Sequence, residues 1–361
     1  MAAGRTGVRH LVLRAGADAA RLLRERGLRP EDVDVVPGAS GGPKWLVLAG
    51  LDRWLWGDFL AGPRARPVHG IGSSIGSWRL ACAAQRDPMA AFERARTAYI
   101  EQTYPPKPSV AYIGQVAREI LDVLLGPTGT GEILAHPWLR LHVVTAESRH
   151  AVASERYGVQ AAALALAAAS NLVHRKSLAL HVRRVIFHAD PSPAAFTAFT
   201  DFPTRHLPLT PESLAPALLA SGAIPLLFPG VRIPGDGNRV HRDGGVIDYH
   251  LAVDYGAGDG LVLYPHFYPH LVPGWFDKSL PWRRGKGTGL RRTLVVAPSP
   301  AFVSRLPGGR IPDRGDFTRM DDATRIRTWR AVVDAVQCLG DEMAELVALG
   351  PRIADVLVPL D

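Results

Sequence analysis

A strand, a glycine–serine turn and a helix follow one another twice within the first 85 residues, and this repetition constrains the fold more than any other feature. The first unit runs from a strand at 33–36 through Gly38 to Gly42 into Pro43, a favoured first helical residue, and an apolar helix over 44–60. The second runs from a short buried strand at 67–71 through the tight turn Gly72 to Gly76 into a small-residue helix over 77–85. Two such units in succession build parallel strands, because each helix carries the chain back across the sheet. Apolar runs and turn signals predict further strands at 139–145, 184–188, 196–202, 239–241, 261–264 and 293–297. Helices are expected over 17–27, 89–104 and 110–125, from the Thr210-Pro211-Glu212 start, and over a long closing segment 322–349. The alternation is that of an α/β fold with a mostly parallel central sheet flanked by helices.

With 47% hydrophobic and 21% charged residues over 361 positions, the chain can bury a large core, and no disordered linker is visible. The net charge of +8 would suggest nucleic acid or an anionic membrane, but 37 of the 42 basic residues are Arg, part of a wider compositional bias toward Arg, Ala, Gly and Pro. No nucleic-acid motif accompanies them, so no nucleic acid is expected; peripheral contact with an anionic lipid surface is retained. Cys82 and Cys338 have no metal-ligand or disulfide-framework spacing, which suits a reducing, cytoplasmic setting and calls for no metal. Residues 1–13 show no secretory pattern. The uncharged stretch Gly158 to Val173 is too short and too interrupted to span a bilayer, and is expected as a buried Ala-rich helix.

Both early turns match G-x-S-x-G, the pattern that lifts a serine onto a sharp strand-to-helix corner facing a helix N-terminus. Gly72-Ser73-Ser74-Ile75-Gly76 offers Ser74, and Gly38-Ala39-Ser40-Gly41-Gly42 offers Ser40. Ser74 is the preferred nucleophile, since the consecutive Gly41 and Gly42 better suit a loop presenting backbone N–H groups to an oxyanion. A phosphate-cradle reading of 38–45 fails at Pro43 and Trp45. Asp243, followed by Gly244 and Gly245 at a strand end, is the candidate base. His266 or His270 would serve in a Ser-Asp-His alternative, while His69 and His241 adjoin the motifs as orienters. The stretch 265–292 holds Trp275, Trp282 and a cluster of Arg and Lys including Lys286, a combination suited to a lipid interface or to a solvated loop.

The Gly-rich loop, the Ser74 pentapeptide, the segment Ala220-Ser221-Gly222-Ala223-Ile224-Pro225 and Asp243-Gly244-Gly245 together resemble the patatin-like phospholipase family, from about residue 33 to 250. The resemblance implies a three-layer patatin-like fold. It also implies a Ser74–Asp243 dyad without catalytic histidine, an oxyanion hole at Gly41, Gly42 and Lys44, and an elbow at Gly72 and Gly76. Lipid acyl esters are the implied substrates, with no cofactor. One domain over 1–361 is expected, with 251–361 adding strands, the basic loop and the closing helix. The loop departs from the family's Asp-Gly-Gly-Gly-x-Arg-Gly: Lys44 stands for the arginine without its planar fork, and Trp45 for the last glycine, which would narrow the space near the hole. That departure supports the competing reading of a catalytically weak protein that binds a lipid or a partner.

Overall fold

The computed structural model describes residues 9–189, 196, 199–256, 260–285 and 288–360. In chain order the elements are β1 (Leu11–Ala15), α1 (Ala17–Arg26), β2 (Val33–Gly38), α2 (Ala49–Trp54), β3 (Val68–Ser73), α3 (Ile75–Ala83), α4 (Pro88–Glu101), α5 (Val110–Leu125), α6 (Gly129–Leu134) and β4 (Leu139–Ser148). They continue with α7 (Tyr157–Val173), β5 (Val182–His188), β6 (Thr204–Pro208), α8 (Pro211–Ser221), β7 (Val240–Asp243), β8 (Leu261–Pro265) and β9 (Thr293–Pro298). The chain closes with α9 (Pro300–Val303), α10 (Asp316–Arg319), α11 (Asp322–Ala335), α12 (Gln337–Ala348) and β10 (Leu357–Pro359).

Among the described residues ten strands join one sheet in the order β10-β1-β9-β8-β2-β3-β4-β5-β6, with β7 on β4. The central pairings β8–β2, β2–β3 and β3–β4 are parallel, whereas β1–β9, β4–β5 and β4–β7 are antiparallel. The architecture is therefore α/β with a mostly parallel sheet. Strand alternation divides the core: Leu139, Leu141 and Val143 of β4 enter the large cluster under α3, α4, α5 and α8, while Val144 and Ala146 enter smaller clusters on the opposite face.

Position β4 is shared in an unusual way. Its first part pairs with β3 up to Ser73 opposite Val144, and its last part pairs with β7, which runs the other way and ends with Asp243 opposite Thr145. The C-terminal ends of β3 and β7 thus meet head-on along one strand edge.

Several expectations change. No strand forms among the described residues of 196–202; 197 and 198 lie outside them, and β6 lies further on at 204–208, where Thr204 to Pro208 can pair in parallel with β5. The expected helix 44–60 divides into a 3₁₀ stretch Gly42–Leu48, α2 and a π-helical turn Leu55–Phe59. The closing helix breaks at Val336, where α12 crosses α2 so closely that a Cβ at Gly50 would strike the Val336 carbonyl and one at Gly340 the Gly50 carbonyl. Helix α7 is half-buried rather than buried: Gln160, Ala163, Leu164, Ala167 and Asn171 face inward, whereas Leu166, Leu172 and Val173 are exposed. No helix among the described residues is long and apolar enough to cross a membrane.

Among the described residues, four of the arginines are internal. Arg79 donates to Asp52 (2.6 Å), tying α3 to α2, and Arg184 donates to Asp248 (2.6 and 2.7 Å) and Asp201 (2.8 and 3.0 Å). Both arginines are fully buried, and so are Arg242 and Arg325.

Four histidines from four adjacent strands also lie in a row. His69 and His142 are joined at 3.0 Å, His142 and His188 at 2.8 Å, and His188 and His206 at 2.8 Å, ring nitrogen to ring nitrogen. Burial, and then the neighbouring imidazoles, lower the His188 pKa to about 3. The folded state thus refuses a proton that the unfolded chain accepts below about pH 6.5, so this contribution to stability is full above that value and lost as pH falls. Urea unfolding at pH 7 and pH 5 should show a loss of about 2 kcal/mol from this one group, and His188→Gln should remove that part of the pH dependence.

Candidate active site

The head-on meeting of β3 and β7 explains why the site forms where it does. Ser74 is the first residue past β3, at φ 56° and ψ −132°, and α3 starts at the next residue. Its hydroxyl donates to Asp243 Oδ2 at 2.8 Å, across 169 positions of sequence. The other carboxylate oxygen, Oδ1, accepts the Gly245 N–H at 2.7 Å. Ser74 is 4% and Asp243 6% exposed, so the pair is nearly dry yet still opens onto a cavity.

Close backbone approach accounts for the glycines. A Cβ at Gly76 would run into the Gly38 carbonyl, and one at Gly72 into the Ser77 backbone, so the two motif turns pack directly on each other. Likewise a Cβ at Gly244 would meet the Val144 carbonyl and the Ser73 hydroxyl, and one at Gly245 the Ser40 hydroxyl. Ser40 braces this contact: its hydroxyl donates to Ser73 Oγ (3.0 Å) and its N–H to the Tyr249 carbonyl (2.8 Å). Ser74, not Ser40, holds the hydrogen bond to a carboxylate. Ser221 is a residue whose role the sequence did not disclose. It accepts the Ser74 N–H (2.8 Å) and donates to the Val144 carbonyl (2.6 Å), pinning the strained corner to β4.

Burial raises the Asp243 pKa, against the charge of Arg314, the Ser74 hydroxyl and the Gly245 N–H, which lower it. A carboxylate so placed has more affinity for a proton than an exposed one, which suits a general base. Among the described residues, neither the Gly41 nor the Gly42 N–H donates to a protein acceptor. Gly41 and Lys44 line the same cavity as Ser74 and Asp243, and burial lowers the Lys44 pKa.

Two cavities meet at Ser74. One, of about 210 Å³, is the more polar of the two, with Ser40, Lys44, Asp243, Lys278, Asp313 and Arg314 set among apolar residues such as Ile224, Val246 and Trp275. The second, about 720 Å³, is mostly apolar and runs past Trp78, Ile113, Ile120, Leu219, Leu227 and Phe228. Trp45 does not narrow either one, contrary to the sequence expectation; it is buried in the main core edge-on to Tyr99.

The histidines are elsewhere. His266 is fully buried, bonds the Tyr268 backbone, stacks on Phe267, and has its pKa lowered to about 3 by burial; neither it nor His270 lines either cavity. His241 bonds Asp236 (2.9 Å) and Thr145 (3.0 Å), so it holds β7 to β4 rather than touching Asp243. His69 belongs to the histidine row. Trp275 and Lys278 of the basic stretch border the polar cavity, while Trp282 is exposed; Lys286 lies outside the described residues.

No family model and no curated protein matches the chain. Among solved structures, VipD from Legionella pneumophila aligns with 73% of this chain and 55% of its own length, at 15% identity and a TM-score of 0.32. The chain thus spans about half the length of that protein.

A residue other than glycine with this backbone conformation costs about 1–3 kcal/mol. Of two variants that both lack the hydroxyl, Ser74→Gly should therefore be more stable than Ser74→Ala, by about 1 kcal/mol or more in urea unfolding. Equal stabilities would show that the corner is unstrained.

Proposed function

We propose that this chain is a serine acyl hydrolase of patatin-like type, a single domain over 1–361 that cleaves lipid carboxylic esters through Ser74 and Asp243. The observation that carries this reading is the 2.8 Å hydrogen bond from a positive-φ serine to a buried carboxylate, at the junction of a polar and an apolar cavity.

The acyl chain of the substrate occupies the apolar cavity and its alcohol portion the polar one. Asp243 takes the Ser74 proton as Oγ bonds to the ester carbonyl carbon. The carbonyl oxygen becomes an oxyanion facing the Gly41 and Gly42 N–H groups, with the Lys44 ammonium nearby. As the carbon–oxygen bond to the alcohol breaks, Asp243 returns the proton to the departing oxygen. Water then enters, Asp243 accepts one of its protons as the water oxygen bonds to the acyl carbon, and Asp243 returns that proton to Ser74 Oγ as the bond from Oγ to the acyl carbon breaks, which releases the acid and restores both residues. One carboxylate serves both half-reactions, so no histidine is needed. No metal or organic cofactor enters these steps.

A fluorophosphonate probe followed by peptide mass spectrometry tests the assignment. Labelling is expected at Ser74, absent in Ser74→Ala, retained in Ser40→Ala, and slowed about 10²-fold or more in Asp243→Asn. Labelling at Ser40, or none in folded protein, overturns the reading.

The same reading includes peripheral contact with anionic lipid. Trp282 is 71% exposed, and Arg283 beside it donates to the Leu172 carbonyl (3.0 Å), which sets it next to the exposed Leu172 and Val173. Arg284 and Lys176 are exposed nearby in sequence. An apolar tip rimmed by cations is suited to the headgroup layer of an acidic membrane. Sedimentation with phosphatidylserine-containing vesicles should recover the protein, and Trp282→Ala should reduce the recovery; equal recovery of both removes this surface from the proposal.

A further inference from the structure

Among the described residues, three line both cavities: Ser74, Ile224 and Arg314. Ser74 is the residue to which the hydrolase reading gives the attack, Ile224 is aliphatic, and Arg314 is a cation brought in from outside the motif-bearing part of the chain. A purpose-built turn presents it. Asp313 accepts the Gly315 N–H (2.7 Å) and Arg319 (2.6 Å). Asp316 accepts the Asp313 N–H (3.2 Å), Arg319 (3.0 Å), Arg310 and the indole N–H of Trp329 on α11 (2.9 Å). Both flanking carboxylates are thus spent on fixing the turn, and Arg314 is carried inward at a set position. There its side chain lies across the Gly41–Gly42 loop: Gly42 has φ 56°, and a Cβ on it would come 3.2 Å from Arg314 Nε and 3.6 Å from its Cγ. Lys44, two residues along that loop, borders only the polar cavity.

A cation at this junction meets a charge that moves. In the resting site Arg314 faces Asp243; burial raises the Asp243 pKa, and Arg314 is foremost among the groups that oppose the rise. During attack the O–H bond of Ser74 breaks to the Asp243 carboxylate, the bond from Oγ to the ester carbon forms, and the carbonyl π pair goes to its oxygen. The carboxylate becomes neutral as the same unit of negative charge appears on the carbonyl oxygen. An ester lying across the two cavities has its reacting carbon at Ser74, beside the one charged group, among the described residues, that both cavities share. Resting on the hydrolase reading above, we infer that Arg314 is a further catalytic residue, which hydrogen-bonds the carbonyl oxygen as it becomes an oxyanion. A planar guanidinium fixed before the reaction needs no reorganisation as charge develops, and in a nearly dry site its effect is large. The cationic part of the oxyanion hole then comes from the turn at 313–316 rather than from Lys44 within the loop.

Hydrolysis of p-nitrophenyl octanoate tests this, with Arg314→Met, Arg314→Lys and Lys44→Met beside the unaltered protein. Arg314→Met should lower kcat and kcat/KM alike, by about 10²-fold, as expected for an interaction made only in the transition state. Arg314→Lys should retain part of the activity, because a point charge replaces the fork. Two readouts separate chemistry from structure. Loss of the cation raises the Asp243 pKa, so the acidic limb of kcat/KM should move to higher pH in Arg314→Met. Octyl trifluoromethyl ketone, which adds to a serine as a hemiketal oxyanion, should lose affinity for Arg314→Met in step with the loss in kcat. No described residue hydrogen-bonds the Arg314 side chain, so the urea midpoint should hold; if Arg314→Met does not fold, Arg314→Gln takes its place. Unchanged kcat and an unmoved acidic limb overturn the inference and leave the hydrolase reading standing. A larger loss in Lys44→Met than in Arg314→Met, or a raised KM at constant kcat, overturns it as well. If the unaltered protein neither cleaves the ester nor takes a fluorophosphonate at Ser74, the hydrolase reading fails and the inference falls with it.

Discussion

One edge of β4 is divided between two strands that run toward each other, and the rest of the site depends on that division. Because β3 stops opposite Val144 and β7 stops opposite Thr145, the residues just past one strand and at the end of the other have nowhere to go but together. Side-chain parity then matters as much as position. A one-residue slip of β7 would turn Asp243 to the other face and leave Ser74 without its partner. Ser221, which bonds both the Ser74 N–H and the Val144 carbonyl, ties the corner to this same point of the sheet, and His241 with Thr145 anchors the strand that delivers the carboxylate.

Charge is distributed in two distinct regimes. Inside, arginines such as Arg79 and Arg184 are matched by carboxylates within hydrogen-bond distance, so they hold elements together and contribute nothing to an external field. Around Ser74 the matching fails, and Lys44, Lys278 and Arg314 face one cavity without an ion pair to a carboxylate among the described residues. A net charge of +8 says little by itself; what matters is which cations lack partners and where they stand.

Features with a local steric cause were legible in the sequence. Helix α5 runs over Val110–Leu125 as anticipated, because Ser109 caps one end and Gly126 closes the other. Gly38, Gly72, Gly76 and Gly244 left a readable trace, since close backbone approach tolerates no Cβ there. Features set by distant contacts were not legible. Strands β1 and β10 pair across more than 340 residues, the break at Val336 follows from its crossing with Gly50, and the inward turn of Trp45 depends on Tyr99. Lys278 and Arg314 reach the cavity from irregular loops, whose placement has no period to betray it. Ser221 stood within a motif already noted, but only its two hydrogen bonds disclose what it does.

The meeting of two cavities at Ser74 also governs traffic. For an ester bound across the junction, as in the proposed hydrolysis, the two products would lie on opposite sides of Ser74. Departure of the alcohol empties the wet side while the acyl group still fills the greasy one. In that scheme the hydrolytic water would arrive through the space the first product has vacated, and the acid need not move until it is cut free. On the proposed acyl-enzyme scheme the alcohol leaves before the acid, and the two-sided site matches that order.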